Sequence, residues 1–255
     1  MTGTTGLFVV GAMGRMGRVI HEVLAHDPRA RWAGGLDVRE SPERGVVAGL
    51  SALPAGVDAV IDFSQPAVLP ESLRLCVQAG VPLVVGTTGL EAVHHQWLAD
   101  AARAIPIVAS PNMSVGMNVL FRLAADLARL LGPAYDLEIV ELHHNRKKDA
   151  PSGTALRLYE SVAGAREGVR RVGGRQGLVG PREPTEIGVH AVRAGDVVGE
   201  HRLIAAGNDE VVELVHRAGS RDCFARGAIT AAVRLVGRGP GLYAMADLFD
   251  VGPGA

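Results

Sequence analysis

Cysteine is scarce: Cys76 and Cys223 are the only two in 255 residues. They lie far apart and match no metal-binding or redox spacing, which argues against a disulfide framework, a zinc site or a dithiol centre. Both read as small hydrophobes of a reducing compartment. Charge of one sign is not in excess either, since 26 Lys and Arg against 27 Asp and Glu leave a net charge of -1. That balance gives no support for binding nucleic acid or an acidic membrane, so an anionic ligand has to be met by local positive charge. No apolar run reaches membrane-spanning length, and no basic segment leads into a long apolar stretch, so a cytoplasmic protein without a membrane partner is expected. Internal repeats and low-complexity segments are absent. What remains, 47% hydrophobic and 21% charged residues, suits an ordinary globular chain of one large or two modest domains.

The first half alternates strands and helices. Gly6 to Val10 is an apolar run, then comes Gly11-Ala12-Met13-Gly14-Arg15-Met16-Gly17-Arg18, and Val19, Ile20, Val23 and Leu24 follow at helical spacing. Strand, glycine turn and helix in that order suit a dinucleotide pyrophosphate, although the spacing is G-x-x-G-x-x-G. Ala33 to Leu36 ends a second strand, and Asp37, 20 residues after Gly17, stands where a carboxylate meets the adenosine ribose. Arg39 is close enough to offer a 2′-phosphate contact, so the two residues point in opposite directions on NAD versus NADP. Further units follow: strand Val57 to Phe63, helix Pro66 to Ala79, strand Val81 to Val85, helix Leu90 to Ala104 and strand Ile105 to Ala109. Asp62-Phe63-Ser64, Gly86-Thr87-Thr88-Gly89 and Pro111-Asn112-Met113 then line the carboxyl edge of a doubly wound, Rossmann-like parallel sheet. In the Leu90 helix, Val93 and Trp97 fall on the apolar face, and His94-His95 reads as solvated surface.

The second half has a different pattern. A long amphipathic helix (Val115 to Leu131) precedes a strand (Leu137 to Leu142), which delivers His143 and His144. If the strand persists, these two point to opposite faces, one into a cleft and one in support, and they cannot converge on one metal ion. Lys147 brings positive charge. Asp149, Ala150 and Pro151 supply a cap candidate and a fixed φ for a first helical turn, leaving Ser152, Gly153 and Thr154 at a helix N-terminus that suits an anion. An imidazole beside a carboxylate-sized anion pocket reads as an active site. The Gly164 to Pro184 segment is read as a mobile loop. Strands Ile187 to Arg193, Val197 to Ala205 and Val211 to Arg217 are joined by turns at Ala194-Gly195-Asp196 and Gly207-Asn208-Asp209. With Leu137 to Leu142 they make a four-stranded, largely antiparallel sheet of an α+β domain, with helices on one face and a second subunit expected on the other. Phe224 to Val236 is a final helix.

His143-His144-x-x-Lys147-x-Asp149-Ala150-Pro151-Ser152-Gly153-Thr154-Ala155 resembles the signature of the dihydrodipicolinate reductase (4-hydroxy-tetrahydrodipicolinate reductase) family of lysine and diaminopimelate biosynthesis. The Gly11 to Arg18 turn, Gly86-Thr87-Thr88-Gly89, Asn112-Met113-Ser114-Val115-Gly116 and Val192-Arg193-Ala194-Gly195-Asp196-Val197-Val198-Gly199-Glu200-His201 match the same family in order. The resemblance implies NADH- or NADPH-dependent reduction of a cyclic imine dicarboxylate with loss of water, by a homotetramer joined through the second domain's sheet. It makes His144 the general acid/base and Lys147 the proton donor and carboxylate partner. His143, Thr88, Ser152, Gly153 and Thr154 become substrate contacts. Residues 1–113 become the dinucleotide domain, 114–221 the substrate domain, and 222–255 a segment returning to the first. It puts the pyrophosphate at Arg15-Met16 and the nicotinamide near Gly86, Thr88 and Asn112-Met113, so the candidate cofactor residues are Gly11, Met13, Gly14, Arg15, Met16, Gly17, Asp37, Arg39, Phe63, Gly86, Thr88, Pro111, Asn112 and Met113. Gln65 stands where some members of the family carry arginine, and Val38 where arginine often sits, which weakens a 2′-phosphate site and favours NADH at least as much as NADPH. Two other readings stay open on the residues alone: a different Rossmann dehydrogenase for an imine or amino acid, and a non-catalytic dinucleotide-binding protein. A sensor would need neither His144 nor Lys147.

Overall fold

Leu7-Phe8-Val9-Val10 lacks polar alternation, the pattern of a strand covered on both faces. In the computed structural model, which describes residues 3–207 and 209–249, it lies in β1 (Thr5–Val10). There follow α1 (Arg15–Leu24), β2 (Ala30–Leu36), β3 (Val46–Val47), β4 (Ala59–Asp62), α2 (Leu69–Ala79), β5 (Leu83–Val85), α3 (Ala92–Ala101) and β6 (Pro106–Ala109). The second half contains α4 (Val115–Leu131), β7 (Asp136–His143), α5 (Gly153–Ala163), β8 (Arg170–Val172), β9 (Glu186–Arg193), β10 (Gly199–Gly207) and β11 (Glu210–Ala218), and the chain ends in α6 (Asp222–Leu235) and β12 (Gly241–Tyr243). Residues up to 115 and from 221 onward form one compact unit, and residues 116–220 form another. Met1, Thr2, Asn208 of the expected 207–209 turn, and 250–255 of the returning segment lie outside the described residues. Among the described residues no helix is long and apolar enough to cross a membrane.

The first unit holds a seven-stranded sheet in the order β12-β6-β5-β4-β1-β2-β3, with every pairing parallel. Alternate residues of β1 serve opposite faces. Leu7 and Val9 pack with Ile20, Val23 and Leu24 of α1 and with Ala228 and Ile229 of α6. Phe8 and Val10 pack with Leu69, Leu73 and Cys76 of α2 and Leu98 of α3. The strand order reverses between β1 and β4, which is where ligands enter folds of this kind.

Helix α3 differs from the expectation for the Leu90 to Ala104 segment. It is shorter, and Val93 and Trp97 are half-exposed at 46% and 38%. His94 is buried instead: its Nδ1 accepts from the Glu91 amide at 2.9 Å, and its ring meets Trp97 edge-on. A helix start needs acceptors for its orphan amides, and an imidazole can supply one.

The second unit keeps its helices on one face of a sheet. Leu137, Ile139, Val189, Leu203 and Ala205 face Met117, Phe121 and Ala124 of α4 and Leu158 and Val162 of α5. The sheet itself corrects the expected four-stranded, largely antiparallel form. It has five strands, ordered β11-β10-β7-β9-β8, with β7–β9 and β8–β9 parallel and β10 antiparallel to both β7 and β11. The extra strand β8 comes from the segment expected to be a mobile loop, where Arg175 and Arg182 also both bond to Glu138. Helix α5 is the crossover that makes β7 and β9 parallel. The 194–196 turn is therefore no hairpin between neighbours, because β7 lies between β9 and β10.

Candidate active site

The turn from β1 into α1 is shaped by glycines. Gly11 has φ 79°, and a Cβ at Gly17 would stand 2.3 Å from the Gly11 carbonyl oxygen and 2.4 Å from that of Ala12. Any side chain at 17 would push the turn off the helix. Gly14 caps α1 with no side chain, so this helix start presents bare backbone. Asp37, just past β2, turns its carboxylate to the same turn: Oδ2 accepts from the Met13 amide at 2.9 Å and Oδ1 from the Arg39 amide at 3.1 Å. The Arg39 guanidinium rests on the Met13 carbonyl at 2.9 Å, and Arg18 reaches the same oxygen at 3.1 Å. Gly11, Met13, Gly14, Gly17, Asp37 and Arg39 are thus brought together, with Arg15 and Met16 opening α1.

Beyond β4 the Phe63 ring lies against Gly86, where a Cβ would meet the ring at 2.3 Å. Asp62, expected to line the sheet edge, is fully buried and organises the strand ends instead. It accepts from the Ser64 amide at 2.8 Å, the Ser64 and Ser72 hydroxyls at 2.6 Å each, and Thr87 at 3.0 Å. Thr88 and Pro111 are exposed, whereas Thr87, Asn112 and Met113 are buried, with Asn112 Oδ1 accepting from the Ser114 amide at 2.8 Å. Helix α6 crosses closely here, since a Cβ on Gly227 would sit 1.8 Å from the Met113 carbonyl oxygen.

In the second unit the 194–197 connection wraps the end of β7. Ala194 donates to the His143 carbonyl at 2.9 Å, the His144 amide to Val197 at 2.8 Å, and the Asn145 amide to Gly195 at 3.1 Å. Lys147 closes the turn by bonding the His144 carbonyl at 3.2 Å, and its Nζ pairs with Asp149 at 2.9 Å. Burial of Asp149 acts to raise its pKa, but the Lys147 contact outweighs this and lowers it. His143 belongs to β7 and faces the core side, while His144 lies just past the strand end and is half-buried.

Glu141 shares that core face, two residues before His143, and is wholly buried. Its Oε2 contacts His143 Nδ1 and accepts from Arg193 at 2.8 Å. Its Oε1 accepts from Arg193 at 2.8 Å and from the Ser152 amide at 3.0 Å. Burial pushes the carboxyl up, but His143 and Arg193 more than offset this and hold its pKa at about 2. Arg193 also donates to the Asp149 carbonyl at 2.6 Å, fixing the approach to α5. Ser152, not the expected Asp149, is the N-cap: its hydroxyl accepts from the Ala155 amide at 3.1 Å, and Gly153 is the first helical residue. Asp149 is displaced because Ala150 and Pro151, joined by a cis peptide bond, precede the helix rather than start it. Ser152 Oγ lies 3.2 Å from His201 Nε2, and the His201 ring is edge-on to His143. Burial, aided by His143, drives the His201 pKa down to about 3, so that ring is neutral.

The sequence reading placed His143, Lys147, Ser152, Gly153 and Thr154 in one stretch, and the structure folds that stretch around one helix start. Glu141, which opens that stretch, and His201, which ends one of the family motifs, were given no role. The signal for Glu141 was available: the period of 2 in a strand puts it on the face of His143. Among the described residues no group of three or more His, Cys, Asp and Glu is arranged to hold a metal.

Comparison with known proteins fits both units. The description "Dihydrodipicolinate reductase, N-terminus" matches residues 5–113, and "Dihydrodipicolinate reductase, C-terminus" matches residues 116–249. A 4-hydroxy-tetrahydrodipicolinate reductase of Desulfotalea psychrophila is 45% identical over 97% of this chain and 97% of its own. That of Anaeromyxobacter dehalogenans is 43% identical over 97% and 98%. The dipicolinate-bound dihydrodipicolinate reductase of Paenisporosarcina sp. TG-14 has the same fold, with a TM-score of 0.74 at 23% identity, covering 95% of this chain and 98% of that one. With both halves of the family matched in order and relatives this similar over nearly the whole length, the chain belongs to the dihydrodipicolinate reductase family.

Proposed function

We propose that the protein reduces 4-hydroxy-tetrahydrodipicolinate to tetrahydrodipicolinate with NADH or NADPH, a cytoplasmic step of lysine and diaminopimelate biosynthesis. The observation that carries this reading is the start of α5, which Glu141 and Arg193 hold through the Ser152 amide and the Asp149 carbonyl, with Lys147 paired to Asp149 ahead of it. The first unit fits a dinucleotide by its bare helix start and its Cβ-free turn at Gly17. Gly11, Met13, Gly14 and Gly17 line that turn, Arg15 and Met16 meet the pyrophosphate, and Asp37 takes the ribose. Phe63, Gly86, Thr88, Pro111, Asn112 and Met113 bound the nicotinamide. When bound, the reduced dinucleotide supplies a hydride to a ring carbon of the substrate.

The residues of this chain do the rest. Ser152, Gly153 and Thr154 hold the ring carboxylates and fix the ring's orientation, which is the proximity contribution. Lys147 exchanges Asp149 for a substrate carboxylate and donates the proton that quenches negative charge at the ring nitrogen. His144 serves as general acid/base, and His143 supports the ring. The ring hydroxyl leaves as water with a hydrogen of the adjacent ring carbon, and one hydride and one proton then enter the conjugated imine that results. Replacing His144 by Ala lowers kcat by about 100-fold or more and leaves NADH affinity unchanged; turnover equal to the native enzyme refutes that role. Lys147→Ala raises KM as well as lowering kcat, and an unchanged KM refutes its carboxylate contact.

Arg39 already holds the Met13 carbonyl. It has to leave that oxygen to meet a 2′-phosphate, which supports NADH being used at least as well as NADPH. The sheet face opposite α4 and α5 carries Val192, Val211 and Val215, exposed at 44%, 59% and 38%. That face supports assembly of a homotetramer. Light scattering at assay concentration checks this, with four times the chain mass expected and one chain mass the contrary result.

A further inference from the structure

We propose that Glu141 is a positioning residue of this reduction, fixing His143 as the tautomer protonated on Nδ1 while seating the start of α5. The inference rests on the reductase reading of the second unit, yet its structural half can be measured without substrate.

The first support is a count of donors. A carboxylate offers about four lone-pair sites and donates nothing. Glu141 faces four N–H groups: two of Arg193, the Ser152 amide and His143 Nδ1. With no exposed surface it has no water to exchange for any of them. Because Glu141 is an acceptor only, His143 Nδ1 has to carry the hydrogen, and Nε2 is the ring nitrogen directed away from Glu141.

The second support is what the same carboxylate holds in place. Through the Ser152 amide it fixes the residue whose hydroxyl caps α5. Through Arg193 it reaches the Asp149 carbonyl, two residues beyond Lys147. One buried group therefore sets the His143 ring and the helix start that receives the substrate anion. The third support is Gly199. A Cβ there would stand 3.1 Å from His143 Nε2, so glycine at this position leaves the Nε2 edge uncrowded. A hydroxyl or N–H of the substrate can then donate to His143 at that one nitrogen, in one ring orientation, while the carboxylates, acceptors themselves, are left to the helix start.

Glu141→Gln tests this. It keeps the shape but puts an NH2 where one oxygen faced two donors, and the ring can relieve that clash by moving its hydrogen to Nε2. Long-range proton–nitrogen spectra of the substrate-free protein report the tautomer directly. The expected result is protonated Nδ1 in the native protein and a shift toward protonated Nε2 in Glu141→Gln. In the same variant KM for the imine substrate rises about tenfold or more, kcat falls by less than KM rises, and NADH affinity is unchanged. Native His143 protonated on Nε2 overturns the proposal whether or not the variant folds. So does a folded variant with native tautomer and native KM. A native protein with the expected tautomer but no reductase activity would instead refute the function proposed above.

Discussion

At the scale of single residues, Glu141 and His201 set how the second unit responds to acid. The folded pKa of Glu141, about 2, lies below the roughly 4.3 of a free glutamate. Its contribution is present above that range and is lost as pH falls toward 2. His201 titrates at about 3 in the fold and near 6.5 unfolded. Between those values the unfolded chain binds a proton that the folded chain refuses, so stability drops as pH falls, by about 1.4 kcal/mol per pH unit at most from this group. His216 is lowered in the same direction by burial. Denaturant unfolding between pH 6.5 and about 4 should show this slope, and His201→Gln should make it shallower; an identical slope would show that His201 is not its source. Removing Glu141 altogether leaves the largely buried Arg193 without its anion. Glu141→Ala is therefore expected to cost about 3–5 kcal/mol by the same measurement.

Much of the candidate site was legible at this scale because it is contiguous: His143, His144, Lys147 and Ser152 to Thr154 lie in one stretch. Arg193 was readable as part of a motif but not as the partner of Glu141, since that pairing depends on the β7–β9 register. His201 stands in the same motif, but its neutrality was not readable, because burial and not spacing produces it.

At the scale of elements, the proposed ligand sites fall on turns. Gly17→Ala forces a methyl group against two backbone carbonyls, so the turn has to move. Affinity for NADH is expected to fall about tenfold or more, with a stability loss of about 1–3 kcal/mol. Native affinity in a fluorescence titration would refute the view of this turn as the pyrophosphate site. Ser152→Ala removes the α5 cap and should cost about 1 kcal/mol with a raised KM for substrate; an unchanged KM would detach the cap from substrate binding. Elements were read well where the chain is strongly periodic, as in β1, α1 and α4. They were misread where chemistry overrides period. His94 is buried because α3 needs a cap acceptor, and Ser152 starts α5 in place of Asp149.

At the scale of the whole molecule, there are two compact units, the first built from both ends of the chain and the second from its middle. Alternating strands and helices made the parallel sheet readable, since crossovers of that length permit little else. The second sheet was not readable in the same way. A short turn with glycine at positive φ looks alike whether it joins neighbouring strands or, as at Gly195, passes across the end of a third. The crossing clamps His143, His144 and Asn145 just before Lys147.

Side-by-side initial rates test the central claim most directly. The substrate is generated enzymatically in the cuvette, and oxidation of NADH and of NADPH is followed with the native protein. Oxidation of both that depends on the substrate, with NADH at least as fast, is the predicted result. Failure of the protein to oxidise either dinucleotide in the presence of fresh substrate would contradict it.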